Sequence, residues 1–397
     1  MSLLRSHEAL VFAVLVATPV LACSSSDAKV GDFTGTAYPN QKAIFDRSSA
    51  RLGYVANRSD DTLSVLDLDA MALLGSVPVG RDPVDIDGPR HVVLDVDNDL
   101  AYIALSYPFS NTSPHALSEG ATQRSGYVEA LHLADLSIAG DTRVDPSASE
   151  VAFSRATGEL AVSHYDLFLA LQSDPAARRA NVAFVDPASA IATGEATPTR
   201  LSLCAVPAAM SFNADGSRLF VVCTGEDLVA VVEPDSQAVL ARVPAASSTP
   251  AKPYALVADA TRGRLLVSNQ VTASVSVFDM ADTPSLLATL SVPGVPGVPM
   301  FATWLSDTQI AVPFQAPSGA VVFDLETGKI LAQNAYSDDD CANPAELTVT
   351  SDGRLRLVCE GTHYAPGAVV ELDPQTLFIR ASVSVGIYPE RMAISEP

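Results

Sequence analysis

The residues best suited to chemistry are a few histidines that stand beside phenols and carboxylates. His164 is followed by Tyr165 and Asp166, His363 by Tyr364, and His115 lies in a polar run that begins near Tyr107. Neutral imidazole and carboxylate oxygen both suit divalent first-row ions, so these groups define a possible metal site. Their spacing is not diagnostic, and separate surface or stacking histidines are the default reading. His91 and His132 fall in or beside apolar runs and read as structural. Asp338, Asp339 and Asp340 offer oxygen ligands but lack the spaced Asp-x-Asp-x-Asp-Gly order of a calcium loop, so they read as a solvated acidic rim. No CxxCH, G-x-S-x-G, P-loop or GxGxxG after a strand is present, and no cofactor is expected beyond that possible divalent ion.

What must position these side chains is a repeat. Residues 52–80 contain three short apolar runs, 52–56, 62–66 and 73–79, separated by polar turns. The first run recurs at Leu52, Leu100, Leu160, Leu219, Leu265, Ile310 and Leu355. The second is followed each time by an acid: Asp67, Asp135, Asp186, Glu233, Asp279, Asp324 and Asp373. A further apolar run precedes each unit, led by Pro89, Pro207, Pro253, Pro299, Pro344 and finally Pro389, with Pro146 two places early. Proline at the start of a strand is what its missing N–H allows.

Four strands per unit at a period of about 45 to 60 residues is the spacing of propeller blades. The tail strand, 391–395, has no unit of its own and completes the blade begun at residue 52. The expected fold is therefore an all-β, seven-bladed β-propeller over 50–397, closed by a mixed N-/C-terminal blade. Closure removes the unpaired edge of an open array.

The wording GYVANRSDDTLSVLDLDAMALLGSVPVG, with LLVSNQVTASVSVFDM and VVFDLETGKILAQ further on, resembles the YVTN family of seven-bladed β-propellers across residues 50–397. The resemblance implies an exported protein of the envelope and is similar to lactonase-like and amine-dehydrogenase propellers. Pro313-Phe314, Cys223 and Cys359 stand where several units of that family carry Asn, so the role of that Asn is not uniform here.

The N-terminus carries the address. Residues 1–22 have the shape of a secretory signal peptide, and Val20-Leu21-Ala22-Cys23 resembles a bacterial lipobox, which makes Cys23 the lipidated residue. Residues 23–49 read as that Cys followed by a flexible tether. The other four cysteines fall into two pairs in matching contexts, Cys204 with Cys223 and Cys341 with Cys359, and are expected to form two disulfides, as suits an exported chain. The formal net charge of -22 argues against nucleic acid, and the membrane is contacted only through the lipid. The expected location is the bacterial cell envelope, lipid-anchored at the outer membrane, periplasm or surface.

Long connections gather on one propeller face, in loops 106–126, 164–180, 336–341 and 360–366. Loops carried on a rigid ring are where binding residues collect. Tyr107, His115, His164, Tyr165, Asp166, Asp339, His363 and Tyr364 are the candidate site residues, and no catalytic residue is assigned. The favoured reading is a binding or interaction scaffold for an envelope protein or small ligand. The alternative is a lactonase-like, metal-dependent enzyme or redox accessory at a central funnel. Histidines and acids converging on the axis would favour the enzyme, and a broad apolar patch would favour a partner.

Overall fold

A computed structural model describes residues 38, 40–81, 86–106, 125–188, 197–291 and 297–397. Tyr107, His115 and Cys23 lie outside the described residues. Seven antiparallel sheets are arranged as a β-propeller. The first blade is mixed: Pro389–Ser395 is its inner strand, followed by Leu52–Asn57, Thr62–Asp67 and Ala72–Pro78. The closing register runs from Leu52 opposite Ser395 to Asn57 opposite Pro389. The other inner strands are Pro89–Asp95, Ala148–Phe153, Pro207–Phe212, Pro253–Asp259, Val298–Pro299 with Thr303–Trp304, and Pro344–Val349.

The repeated residues have local physical jobs. Asp67, Asp279, Asp324 and Asp373 each accept backbone N–H groups two to six residues ahead, at 2.8 to 3.3 Å, and so fold the turn into the outer strand. Just before the inner strand, Gly88, Ser147, Val206, Lys252, Asn343 and Tyr388 all have positive φ. Their carbonyls accept the N–H of Ser106, Tyr165, Thr224, Gln270, Glu360 and Arg58, which follow the second strand of the same blade. Five of the six are not glycine, so each left-handed turn carries a cost that this bond offsets.

Between sheets, apolar side chains interlock. Leu63, Val65, Ile103, Leu105 and Tyr127 form part of one such layer between blades 1 and 2. Burying each aliphatic side chain of this kind is worth about 1.5–3 kcal/mol. The last part of the stretch read as a tether is fastened to the ring. The Gln41 side chain donates to Leu136 O at 2.7 Å, Ala43 N donates to Asp135 O at 2.7 Å, and Phe45 fills the space above Gly75, where a Cβ would come within 2.3 Å of its ring.

Both expected disulfides are present, Cys204–Cys223 and Cys341–Cys359. Each crosses between blades. Cys204 lies in the outer strand Thr199–Ala205 of blade 3 and Cys223 in the second strand of blade 4; Cys341 lies in the connection leaving blade 6 and Cys359 in the second strand of blade 7. Cys223, Cys359, Asn57 and Asn269 all pair with an inner-strand proline, so they occupy one position of the repeat. Asn57 accepts Gly386 N, from the preceding blade's outer strand, at 3.1 Å. A disulfide in blades 4 and 7 thus makes the inter-blade tie that a hydrogen bond makes in blade 1.

One buried acid gives a pH test of the fold. Glu129, in the third strand of blade 2, accepts Gly80 N at 3.1 Å, and burial pushes its carboxyl from 4.5 up to about 8. Between those values the folded protein keeps a proton that the unfolded chain releases, so stability falls as pH rises and levels off above about 8. Glu129→Gln keeps the acceptor without the charge. Its melting temperature is expected to match wild type near pH 4.5 and exceed it at pH 8.5, by the equivalent of about 4 kcal/mol. Thermal melts across that range check the divergence; parallel curves would refute it.

Candidate functional site

The inner strands run from the face bearing the long loops toward the opposite one, so the first two residues after each strand's start meet near the axis. In blades 1, 2, 3, 5, 6 and 7 those positions hold Glu390-Arg391, Arg90-His91, Ser149-Glu150, Tyr254-Ala255, Met300-Phe301 and Ala345-Glu346. Blade 4 supplies Ala208-Ala209; most of the other positions are charged or aromatic, and their polar side chains pair across the axis.

The deeper layer centres on Arg391. Its Nη1 lies 2.6 Å from Glu150 Oε2 and its Nε 2.6 Å from Glu346 Oε1, while its guanidinium sits 3.7 Å over the Phe301 ring. The other Glu346 oxygen accepts Met392 N at 2.7 Å. His91 Nδ1 is 3.0 Å from Glu150 Oε2 and 3.2 Å from Val151 N; it donates to the first or accepts from the second, as its tautomer decides. Burial raises the Glu150 carboxyl, but His91 and Arg391 outweigh it and hold the group at about 2.

The upper layer forms a floor beneath the mouth. Arg90 Nε is 2.8 Å from Glu390 Oε2, and its Nη2 donates to Tyr254 OH at 2.7 Å. Arg58 Nη1 donates to the other Glu390 oxygen at 3.1 Å. Tyr165 packs edge-on to Tyr254, with ring centroids 5.8 Å apart, and Arg90 lies over its ring at 5.4 Å. Burial lowers the Arg90 pKa, yet Glu390 and Tyr254 outweigh it, so the guanidinium stays charged. Burial pushes the Tyr254 phenol up, so it remains a hydrogen donor.

At the mouth, His363 Nε2 lies 2.8 Å from Glu360 Oε2, and Gln315 donates to the other Glu360 oxygen at 3.1 Å. The imidazole stacks on Tyr388, centroids 3.6 Å apart and planes 10° from parallel. Burial pushes the Glu360 carboxyl up, while His363 pulls it back. His363 is partly exposed and Glu360 is buried, which is the arrangement of an imidazole oriented by a carboxylate beneath it.

Of the residues singled out in the sequence, Tyr165 and His363 reach this funnel. His164 occupies the blade 3 position that Asn57 holds in blade 1; it is buried, its Nδ1 is 2.7 Å from Asn181 O, and burial holds its pKa low. Asp166 caps the helix Leu167–Ala170, accepting from Phe168 N and Leu169 N. Asp339 is exposed in the turn of helix Asp338–Cys341, and Tyr364 projects into solvent at 92 % exposure. Among the described residues no group of three or more His, Cys, Asp or Glu is placed to hold a metal ion.

Most of the funnel was not singled out. His91, expected to be structural, joins the axial ion pairs instead, and Arg58, Arg90, Glu150, Tyr254, Glu346, Glu360, Tyr388, Glu390 and Arg391 complete the funnel without being among the candidate site residues. The signal was present: Pro89-Arg90-His91, Pro344-Ala345-Glu346 and Pro389-Glu390-Arg391 put charges at the start of strands that otherwise read as apolar.

No protein-family model and no curated protein sequence matches the chain. Solved structures do share its fold. The periplasmic gluconolactonase of Pseudomonas aeruginosa superposes with a TM-score of 0.66 at 16% identity, covering 87% of this chain and 99% of that one. Putative 6-phosphogluconolactonases from Bacteroides uniformis and Bacteroides fragilis give TM-scores of 0.64 and 0.62 at 13% and 11% identity, covering 87% and 88% of this chain and 100% of each. At such identities the likeness is one of fold.

Proposed function

We propose that this protein is an exported, lipid-anchored propeller whose funnel binds a small polyhydroxylated molecule and hydrolyses its ring ester, a lactone. The observation that carries this reading is the His363–Glu360 pair at the mouth, above a floor of buried Arg90 and half-buried Tyr254. With Nε2–H donated to Glu360, the other imidazole nitrogen is free to take a proton from water. The water oxygen then bonds to the lactone carbonyl carbon, the ring C–O bond breaks, and the proton passes to the departing ring oxygen, for a net addition of water. Tyr254 accepts from Arg90, which leaves its own O–H to donate to ligand oxygen. The gluconolactonase and 6-phosphogluconolactonase names of the structural neighbours support the same substrate class. Two disulfides support an oxidising compartment outside the cytosol, and the sequence around Cys23 supports the lipid anchor.

Purified protein is expected to hydrolyse glucono-δ-lactone above the buffer rate in a pH-stat. His363→Asn should lower kcat/KM by about 10²–10⁴-fold while the melting temperature stays close to wild type. Wild-type protein no faster than buffer would overturn the enzymatic reading. The second reading, a partner-binding scaffold, is favoured by Leu171 and Tyr364, which project from connections on the same face at 82 % and 92 % exposure.

A further inference from the structure

Arg58 and Arg90 approach the same carboxylate from blades 1 and 2. Arg58 Nη1 is 3.1 Å from Glu390 Oε1, and Arg90 Nε is 2.8 Å from Glu390 Oε2. The Arg90 Nε–H is not aimed along that line, so the second contact is an ion pair rather than an aligned hydrogen bond. Two guanidinium groups a carboxylate's width apart at the floor of a funnel are what recognition of a phosphate requires. Here the chain supplies the anion itself, from a side chain 9% exposed.

We propose that Glu390 is an internal anion that sets the specificity of the funnel, admitting neutral sugar lactones and excluding phosphorylated ones. This rests on the funnel being a ligand site. Around the axis the described side chains include three guanidinium groups, of Arg58, Arg90 and Arg391, against four carboxylates, of Glu150, Glu346, Glu360 and Glu390. Arg391 is already held by Glu150 and Glu346. A phosphate dianion would therefore have to displace Glu390 from both arginines, against a chain whose formal net charge is -22. The same field helps release the product, because opening a neutral lactone creates a carboxylate.

Inorganic phosphate is the probe, titrated into wild type and Glu390→Gln by calorimetry and thermal melts at constant ionic strength. Wild type is expected to show no saturable binding in the millimolar range. Glu390→Gln should gain at least about tenfold in affinity and be stabilised by phosphate, and adding Arg58→Gln should remove the gain. A cooperatively melting Glu390→Gln that binds phosphate no better than wild type overturns the proposal. Should that variant fail to fold, wild-type kcat/KM for gluconolactone against 6-phosphogluconolactone decides: neutral preferred by about tenfold or more supports it, any smaller preference or the reverse overturns it. Phosphate binding gained by Glu390→Gln in a protein that hydrolyses no lactone supports the exclusion role and sinks only the lactonase reading.

Discussion

Deleting residues 389–397 is expected to abolish the folded protein, not merely to lower its melting temperature. The segment supplies the inner strand of blade 1, paired with Leu52–Asn57. Without it, that second strand becomes an unpaired edge facing the axis. Met392 is 5% exposed and packs with Val55, Leu66 and Leu68, so its loss also opens the apolar layer behind the strand. Arg391 and Glu390 leave with it, stranding Glu150, Glu346 and Arg90 as buried charges. The truncated chain should show no cooperative thermal transition and should elute as aggregate in size-exclusion chromatography. A monomer melting within a few degrees of wild type would mean that the ring does not depend on its closing strand.

Arg391→Met should be the most damaging single substitution at the axis. It leaves two buried carboxylates facing one another, a change that costs about 3–5 kcal/mol. The triple variant Arg391→Met, Glu150→Gln, Glu346→Gln removes the stranded charges and should recover most of that loss. The pH dependence has a definite sign. In wild type Glu150 titrates at about 2, below its ordinary 4.5, so the pairing stabilises the fold above pH 4.5 and that contribution is lost as pH falls toward 2. The corresponding free energy is about 3 kcal/mol. In Arg391→Met the carboxyl loses its main cation besides His91, its pKa rises, and the gap between variant and wild type should therefore narrow on acidification. Denaturant melts from pH 6 to pH 3 check this, and a gap that widens in acid would contradict it.

The repeat was legible because each of its devices acts within one blade. Asp67 folds its own turn two and three residues ahead, and Pro89 or Pro207 marks the start of a strand by the N–H it lacks. Cysteine pairing was legible because the partners are close in sequence, 19 and 18 residues apart, and lie in matching contexts. That each disulfide ties one blade to the next was not, because nothing local says that Cys204 belongs to the sheet before Cys223. The histidines misled where type was taken for position. His164 stands in a repeat slot held elsewhere by Asn57 or Cys223 and is spent on Asn181 O, whereas His91, inside a strand, meets the axial acids.

The amino-acid order alone determined the number of blades, the mixed blade at the junction and the two cysteine pairs, since alternation, turn residues and short spacings are properties of consecutive residues. Only the tertiary structure decided the contents of the funnel. Arg391 reaches Glu150 across 241 positions of sequence, and Arg58 reaches Glu390 across 332. Such neighbours are set by the angle through which the sheets turn around the axis. That angle comes from packing between faces and leaves no local periodicity to read.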